Sequence, residues 1–197
     1  MLDLSPYKIY SQRDFHYEIG KFNPSFLLEF TSNIKDKFEP YYDHGEEENK
    51  FTTQKAEVNR KCWDISHNIL DEYPVFQKSL INCSKRANKK FNFNLESFLD
   101  LKYYEYYPTE ENLNWHIDIG PLSYSHRKLS FSIMVSNEDE YQGGDLQIWL
   151  DNNYSQKVPK LAGGIVFFPS FLIHRVTPIT EGLRKVIVGW LGGEPYK

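Results

Sequence analysis

Residues 161–190, LAGGIVFFPSFLIHRVTPITEGLRKVIVGW, decide the fold of this chain. They contain three short apolar runs, at Ile165–Phe168, Phe171–Val176 and Arg184–Trp190. A glycine pair precedes the first run and a proline–serine pair precedes the second. Short strands separated by such turn signals are typical of β-sandwiches and β-barrels. The stretch therefore predicts a β core.

The segments before this stretch have the same texture. Lys128–Val135 alternates large apolar residues with serines and a methionine, which is the period of a strand with two different faces. Asp145–Leu150 follows another glycine pair, and Leu101–Tyr107 is rich in the aromatic residues that favour strands. We therefore predict a mainly β fold, a sandwich or jelly roll, with helices from the first half of the chain packed outside it.

Two helix signals lie in that first half. Asn23 before Pro24 is typical of an N-cap followed by a proline at the first helical position, and it predicts a helix over about Pro24–Phe38. A second helix is predicted over about Pro74–Lys90. Its inward-facing residues are expected to be Val75, Phe76, Leu80 and Ile81. The mostly polar segment Asp43–Lys61 is predicted to be a surface loop.

Composition restricts the class of protein. The chain has 197 residues, of which 40% are hydrophobic and 16% aromatic, which excludes a disordered chain and a coiled coil. We expect a single domain over 1–197, with 1–98 as a mixed α/β support and 99–197 as the β core. The formal net charge is −4 and basic residues are spread along the chain, so no nucleic-acid partner is expected.

Targeting and redox signals are sparse. No apolar run is long enough to span a membrane, and the first six residues do not resemble a signal peptide. The spacing of Cys62 and Cys83 requires no disulfide. We therefore predict a cytoplasmic protein with free thiols and no membrane partner, and the sequence leaves its oligomeric state open.

The segment His116-Ile117-Asp118 is a candidate metal site. In an extended chain, residues i and i+2 point to the same face, so His116 and Asp118 can aim an imidazole and a carboxylate at one point. His174 follows an apolar strand by a short turn and can return to the same end of a barrel. Two histidines and one carboxylate form the facial triad that holds Fe(II) and leaves three positions open. The alternative is a buried histidine bonded to a nearby carboxylate.

Arg184 begins a strand whose inward face is otherwise apolar. A buried guanidinium requires an anionic partner, so Arg184 is a candidate clamp for a small diacid that also chelates the metal. The alternative is an arginine at a strand end that extends its head group into water.

Over about Tyr103–Trp190, these segments resemble the Fe(II)- and 2-oxoglutarate-dependent oxygenases of the prolyl-hydroxylase type, especially the bacterial PKHD-type hydroxylases. The matching pieces occur in the order of that family. They are His116-x-Asp118, Arg127-Lys128-Leu129-Ser130, Tyr141-Gln142-Gly143-Gly144-Asp145-Leu146, Leu161–Pro169, His174–Arg184 and Trp190.

The resemblance implies a double-stranded β-helix, the cupin-like jelly roll. It implies that His116, Asp118 and His174 are catalytic ligands of Fe(II). It also implies that Arg184 pairs with the distal carboxylate of the cosubstrate 2-oxoglutarate, with O₂ as the oxidant and ascorbate as a candidate stimulant. The reaction expected from the family is hydroxylation of an unactivated C–H bond with release of succinate and CO₂.

The family also places a tyrosine before the H-x-D motif against the cosubstrate. Tyr107 is the expected residue, and Tyr103 on the same strand face is the fallback. The other residues expected to wall the cosubstrate pocket are Ser130, Leu146 and Trp190. Some prolyl hydroxylases carry a further tyrosine where this chain has Met134, so we expect that contact to be missing.

Further departures bear on the substrate. Trp190 stands where base demethylases of the family carry a second arginine, and Asp118 is retained where halogenating members have a small residue. We therefore predict a prolyl residue in a peptide or protein as substrate, with a free amino acid or another small molecule as the alternative. The candidate substrate-contact segments are Asp43–Lys61 and Pro121–Arg127.

Two readings from other classes remain open. One is a non-catalytic jelly-roll binding module, which would be expected to have lost part of the triad or the arginine. The other is a zinc hydrolase that uses the same three ligands, for which the sequence offers no evident general base.

Overall fold

The computed structural model describes residues 17–42, 60–108, 113–151 and 154–196. Within these ranges the chain is mainly β, as predicted, with three α-helices and one 3₁₀ helix at Leu122–His126. The elements in chain order are β1 (Tyr17–Lys21), α1 (Pro24–Lys37), β2 (Tyr41–Tyr42), β3 (Arg60–Asp64), α2 (His67–Asp71), α3 (Pro74–Phe91), β4 (Ser97–Tyr106), β5 (Leu113–His116), β6 (Arg127–Met134), β7 (Tyr141–Gly143), β8 (Leu146–Asp151), β9 (Tyr154–Lys157), β10 (Gly164–Pro169), β11 (His174–Val176), β12 (Ile179–Gly182) and β13 (Arg184–Gly192).

Two antiparallel sheets form the core. The large sheet has seven strands in the order β1-β10-β6-β13-β4-β3-β2, so strands from both halves of the chain share it. The small sheet has the order β5-β11-β8-β9, and a two-stranded ribbon joins β12 to β7. A cluster that includes Ile148 and Val176 of the small sheet and Val166 and Phe168 of the large sheet fills the space between them.

The large sheet has two differently covered faces. One face packs against α1 and α3, and its cluster joins Phe131 and Ile133 of β6 to Phe30 of α1 and Leu80 of α3. The other face, which includes Ser130, looks into the space between the sheets. The alternation predicted for Lys128–Val135 is therefore confirmed, and the predicted position of the helices outside the β core is also confirmed.

The helices largely follow their sequence signals. Asn23 caps α1 by accepting a hydrogen bond from the Ser25 amide at 2.9 Å, and α3 ends at Asn92, which adopts φ 55°. The prediction that Val75 faces inward is wrong, because its side chain is 77% exposed at the first turn of α3. Phe76 and Leu80 are buried as predicted.

The predicted loop over Asp43–Lys61 extends too far towards the C-terminus, because a strand begins at Arg60. Arg60 and Lys61 belong to β3, which pairs with β4 in the large sheet. The remainder of the predicted loop, residues 43–59, lies outside the described residues. None of the described helices is long and apolar enough to cross a membrane. Cys62 and Cys83 form no disulfide with each other.

Candidate metal and cosubstrate site

The small sheet brings the three predicted metal ligands together. β5 ends at His116 and β11 begins at His174, and these two residues stand directly opposite each other in the antiparallel pair. The Nε2 atoms of His116 and His174 lie 3.8 Å and 3.6 Å from the two carboxylate oxygens of Asp118. One ligand atom from each residue lies within 4.8 Å of the others. The three side chains therefore surround a common point.

Backbone carbonyl groups fix the orientation of both imidazoles. His116 Nδ1 lies 2.7 Å from the Asn114 carbonyl oxygen, and His174 Nδ1 lies 2.9 Å from the Leu172 carbonyl oxygen. A carbonyl oxygen only accepts hydrogen bonds, so each Nδ1 must carry the proton. Nε2 is then the nitrogen of each ring that faces Asp118 and that can serve as the metal ligand.

Burial supports the same protonation state. Desolvation lowers the pKa of His174, and His116 lowers it further, while the charge of Asp118 opposes both effects. His174 is therefore neutral near pH 7, with its Nε2 lone pair available. The alternative was a single buried histidine bonded to one carboxylate. It does not fit this site, because two imidazoles face the carboxylate of Asp118.

Arg184 is buried on the face of the large sheet that also carries Ser130, beside Tyr106 and the ribbon of β7 and β12. Only 2% of its surface is exposed, so it does not extend into water, and its Nε has no hydrogen-bond partner among the described residues. Among the described residues, no carboxylate forms an ion pair with it. Gly144 makes room for it, because a Cβ there would lie 2.8 Å from Arg184 Cδ. A buried guanidinium in this state fits an anionic ligand.

The structure does not bring Tyr107 to this face of the sheet. Its hydroxyl donates to Glu105 Oε2 at 3.1 Å, and the fallback residue Tyr103 donates to Oε1 of the same carboxylate at 2.9 Å. These residues belong to the face covered by the helices. Tyr106 occupies the position predicted for Tyr107, because it pairs with Arg184 across the strands and its ring centroid lies 5.2 Å from that guanidinium.

Tyr141 is a site residue that the sequence did not reveal. Its hydroxyl donates to the sulfur of Met134 at 3.4 Å, and both side chains are buried. Burial raises the pKa of Tyr141 and Arg184 opposes this shift by its charge and by hydrogen bonding, so the phenol is close to the guanidinium. Met134 stands where some prolyl hydroxylases have a tyrosine, and here the hydroxyl of Tyr141, from another strand, lies against it.

The three predicted wall residues have different environments. Ser130 donates to Asp118 Oδ2 at 2.6 Å, which places it beside the metal ligands. Trp190 pairs with Ser130 across the strands, and its buried Nε1 has no partner among the described residues. Leu146 packs into the apolar cluster between the sheets with Ile148.

The segment after Asp118 covers one edge of the site. Arg127 is only 9% exposed, and its guanidinium stacks 3.8 Å from the ring centroid of Trp190 and 4.4 Å from that of Tyr124. Its guanidinium also donates to the Asp118 carbonyl oxygen at 3.4 Å. Leu122 is 87% exposed and adopts φ 55°, a backbone conformation that non-glycine residues rarely hold.

The donor set fits a specific group of ligands. Two imidazoles and one carboxylate form the set that suits Fe(II) with open coordination positions. The buried Arg184, which has no carboxylate partner among the described residues, fits the free carboxylate of a chelating diacid. The residues present therefore fit both iron and a small dicarboxylate.

Comparison with known sequences identifies the same region. Residues 101–192 match the family model described as the 2OG-Fe(II) oxygenase superfamily. A PKHD-type hydroxylase from Synechococcus sp. (strain CC9605) is 39% identical over 82 residues, which are 41% of this chain and 36% of that protein. One from Hyphomonas neptunium is 45% identical over 64 residues, 32% of this chain and 28% of that protein. The matched segments thus span about a third of these relatives.

Comparison with solved structures identifies the fold. A prolyl-4-hydroxylase from Pseudomonas putida superposes with a TM-score of 0.66 at 17% identity, covering 91% of this chain and 93% of that one. A prolyl hydroxylase from Trichoplax adhaerens, solved with a peptide of hypoxia inducible factor, gives 0.67 at 14% identity, covering 91% and 84%. The predicted double-stranded β-helix is confirmed.

Proposed function

We propose that this chain is an Fe(II)- and 2-oxoglutarate-dependent hydroxylase, since residues 101–192 match the family model of the 2OG-Fe(II) oxygenase superfamily. One observation carries the proposal. Asp118 of the triad bonds to Ser130 on one face of the large sheet, and the buried Arg184, whose Nε lacks a partner among the described residues, lies on that same face. A metal site alone would also fit a zinc enzyme, but the added anion site fits a metal-chelating diacid.

Each residue has a defined task in this proposal. His116 Nε2, His174 Nε2 and one oxygen of Asp118 hold Fe(II) on one face and leave the other face open. When bound, iron and 2-oxoglutarate supply the oxidising chemistry, in which O₂ and the cosubstrate are converted to succinate, CO₂ and a hydroxyl group on the substrate. The protein contributes orientation and a pocket from which water is excluded.

The cosubstrate pocket is built on β13. Arg184 pairs with the distal carboxylate through its planar fork, and Tyr106 lies beside it on the neighbouring strand. Tyr141 supplies the hydroxyl that Met134 does not, since it lies near the same guanidinium. Burial keeps Tyr141 protonated, and its single proton can turn from the Met134 sulfur, a weak acceptor, to a bound carboxylate.

A prolyl residue in a peptide or protein is the proposed substrate. Two structural neighbours, from Pseudomonas putida and Trichoplax adhaerens, are prolyl hydroxylases, and the second was solved with a bound peptide. Trp190 is half-buried beside Ser130 with Arg127 stacked on its ring, and it is the aromatic residue proposed to meet a proline ring at the edge of the site. A free amino acid is the alternative substrate.

We also propose that the chain works as one oxygenase domain. The helices α1 and α3 come from the first half, and they pack on the large sheet that carries Arg184. The helices therefore stabilise the sheet on which the cosubstrate pocket is built.

The test is a screen for succinate release. Proline-containing peptides and free amino acids are incubated with the protein, Fe(II), 2-oxoglutarate and O₂, and Asp118→Ala serves as the control. We expect succinate release that depends on a prolyl peptide, with the mass of one oxygen added to proline. Turnover only on a free amino acid would contradict the substrate proposal. If the protein binds iron but releases no succinate, either with or without a substrate, the hydroxylase proposal is contradicted.

A further inference from the structure

The carboxylate of Asp118 receives a hydrogen bond that metal binding alone does not explain. Ser130 Oγ donates to Oδ2 at 2.6 Å, and it also lies 2.9 Å from Ser170 Oγ. Both serines are buried, with 2% and 0% of their surface exposed. We propose that Ser170 and Ser130 form a hydroxyl relay that holds Asp118 as a monodentate ligand, an inference that rests on the proposed metal site.

The direction of the relay follows from the number of protons. A serine hydroxyl has one proton to donate and two lone pairs to accept with. Ser130 gives its proton to the Asp118 carboxylate, which accepts only. Ser170 must therefore be the donor in the bond between the two serines. The chain of donors runs from Ser170 to Ser130 to Asp118, and the bond from Ser170 polarises the Ser130 hydroxyl and makes it a better donor to Asp118.

The backbone fixes both ends of the relay. Ser130 lies on β6 and Ser170 follows β10, the strand paired with β6, and the Ser170 amide donates to the Lys128 carbonyl oxygen at 2.9 Å. The Ser170 carbonyl oxygen in turn accepts from the Asp118 amide at 2.9 Å. Ser170 thus positions Asp118 twice, through its main chain and through Ser130.

Denticity is the property that this relay controls. Both oxygens of Asp118 face histidines, Oδ1 at 3.8 Å from His116 Nε2 and Oδ2 at 3.6 Å from His174 Nε2, so the carboxylate is placed where either oxygen could ligate. The bond from Ser130 engages Oδ2 and leaves Oδ1 as the better donor to the metal. A bidentate carboxylate would occupy a fourth octahedral position. Two positions would then remain, too few for a chelating cosubstrate and O₂ together.

The first experiment compares Ser130→Ala with Ser132→Ala. Ser132 lies two residues along the same buried face of β6 and makes no hydrogen bond to Asp118, so it is a matched control. Affinity for Mn(II), a redox-inert substitute for Fe(II), is measured by calorimetry on the whole chain. Loss of an outer hydrogen bond to a metal ligand costs about 10–100-fold in metal affinity. We expect a loss of that size in Ser130→Ala, a smaller loss in Ser170→Ala and none in Ser132→Ala.

The second experiment separates the relay from a packing effect. Ser130→Thr keeps the hydroxyl and should restore Mn(II) affinity. At saturating Mn(II), binding of 2-oxoglutarate should weaken in Ser130→Ala, because a bidentate Asp118 competes for its positions. Equal affinities of Ser130→Ala and Ser132→Ala for Mn(II), or an unchanged 2-oxoglutarate affinity at full metal occupancy, would overturn the relay. A wild-type chain that binds no metal would overturn the metal site itself.

Discussion

The two faces of β4 both carry tyrosines beside a buried charged side chain. They differ in how many hydrogen-bond partners that charged side chain has. On the face covered by the helices, Glu105 accepts from Lys35 at 2.9 Å, from Tyr103 at 2.9 Å and from Tyr107 at 3.1 Å. On the interior face, Tyr106 lies beside Arg184, whose Nε has no partner among the described residues. A buried polar group with all its partners present stabilises the fold, whereas one that lacks a partner indicates a ligand.

The pKa of Glu105 reflects this pairing. Burial alone would raise its pKa, but the donors Lys35, Tyr103 and Tyr107 together hold it below its ordinary value. Glu105 is therefore ionised and satisfied at neutral pH without any ligand. Arg184 would reach the same state only with an anion bound.

The largest expected effect is on the metal ligands of the interior. His174→Ala removes one of the three ligands and should abolish Mn(II) or Fe(II) binding, a loss greater than the roughly 100-fold that outer partners contribute. His67→Ala, at an exposed histidine of α2, is the control and should bind metal normally. Calorimetric titration measures both. Metal binding by folded His174→Ala at wild-type affinity would remove His174 from the site.

Arg184 is expected to give the next largest effect. Arg184→Ala should weaken 2-oxoglutarate binding by about 2–5 kcal/mol, since one partner of a buried charge pair is lost. Arg184→Lys should restore part of the affinity, because lysine has the charge without the planar fork. Binding is measured by calorimetry on the Mn(II)-loaded protein. An unchanged affinity in Arg184→Ala would disprove the carboxylate clamp.

Glu105 tests the other face. Glu105→Gln should lower the free energy of unfolding by about 1–3 kcal/mol, because it removes a charged acceptor from three donors. Metal and 2-oxoglutarate affinity should not change. Denaturant titrations of both proteins measure the stability difference, and reduced 2-oxoglutarate affinity in Glu105→Gln would show that the two faces are not independent.

The same pair of proteins predicts a pH dependence. The pKa of Glu105 is depressed in the folded state, so its contribution is fully present above the unfolded value of about 4.3. It is lost as the pH falls through the lower folded value. The stability difference between wild type and Glu105→Gln should therefore be constant above about pH 5 and shrink below about pH 4. A difference that does not shrink in acid would contradict the ionised state of Glu105.

The smallest expected effect distinguishes two neighbouring tyrosines. Tyr106→Phe should weaken 2-oxoglutarate binding by about 1 kcal/mol, the value of one hydrogen bond, without the loss of stability expected at Glu105. Tyr107→Phe should lower stability by a similar amount and leave 2-oxoglutarate binding unchanged. The reverse result would return Tyr107 to the cosubstrate site.

The sequence was sufficient for the residues that are set by local spacing. His116 and Asp118 share a face because they are two apart in an extended chain, and Arg184 interrupts an otherwise apolar face. The structure places Tyr106 rather than Tyr107 beside Arg184, and the sequence could not show this for a physical reason. Leu101–Tyr107 has aromatic residues on both faces, and both faces are buried, so no alternation marks which face is the interior. The resemblance to a family predicted a tyrosine on this strand but did not show on which face of the strand it lies.

Partners that meet across strands were beyond the sequence. Ser130 and Ser170 are 40 residues apart in the chain and meet because β6 pairs with β10. Tyr141 reaches Met134 from a separate two-stranded ribbon. Neither pair has a periodic or compositional signal, since each depends on strand order and register. Such partners become visible only when the sheets are assembled.

A crystal structure grown without oxygen in the presence of Mn(II) and 2-oxoglutarate tests the central claim most directly. The account predicts one metal ion bound by His116 Nε2, His174 Nε2 and a single oxygen of Asp118, with the distal carboxylate of 2-oxoglutarate on the Arg184 guanidinium. A metal bound without any one of these three residues, or a cosubstrate bound away from Arg184, would contradict it.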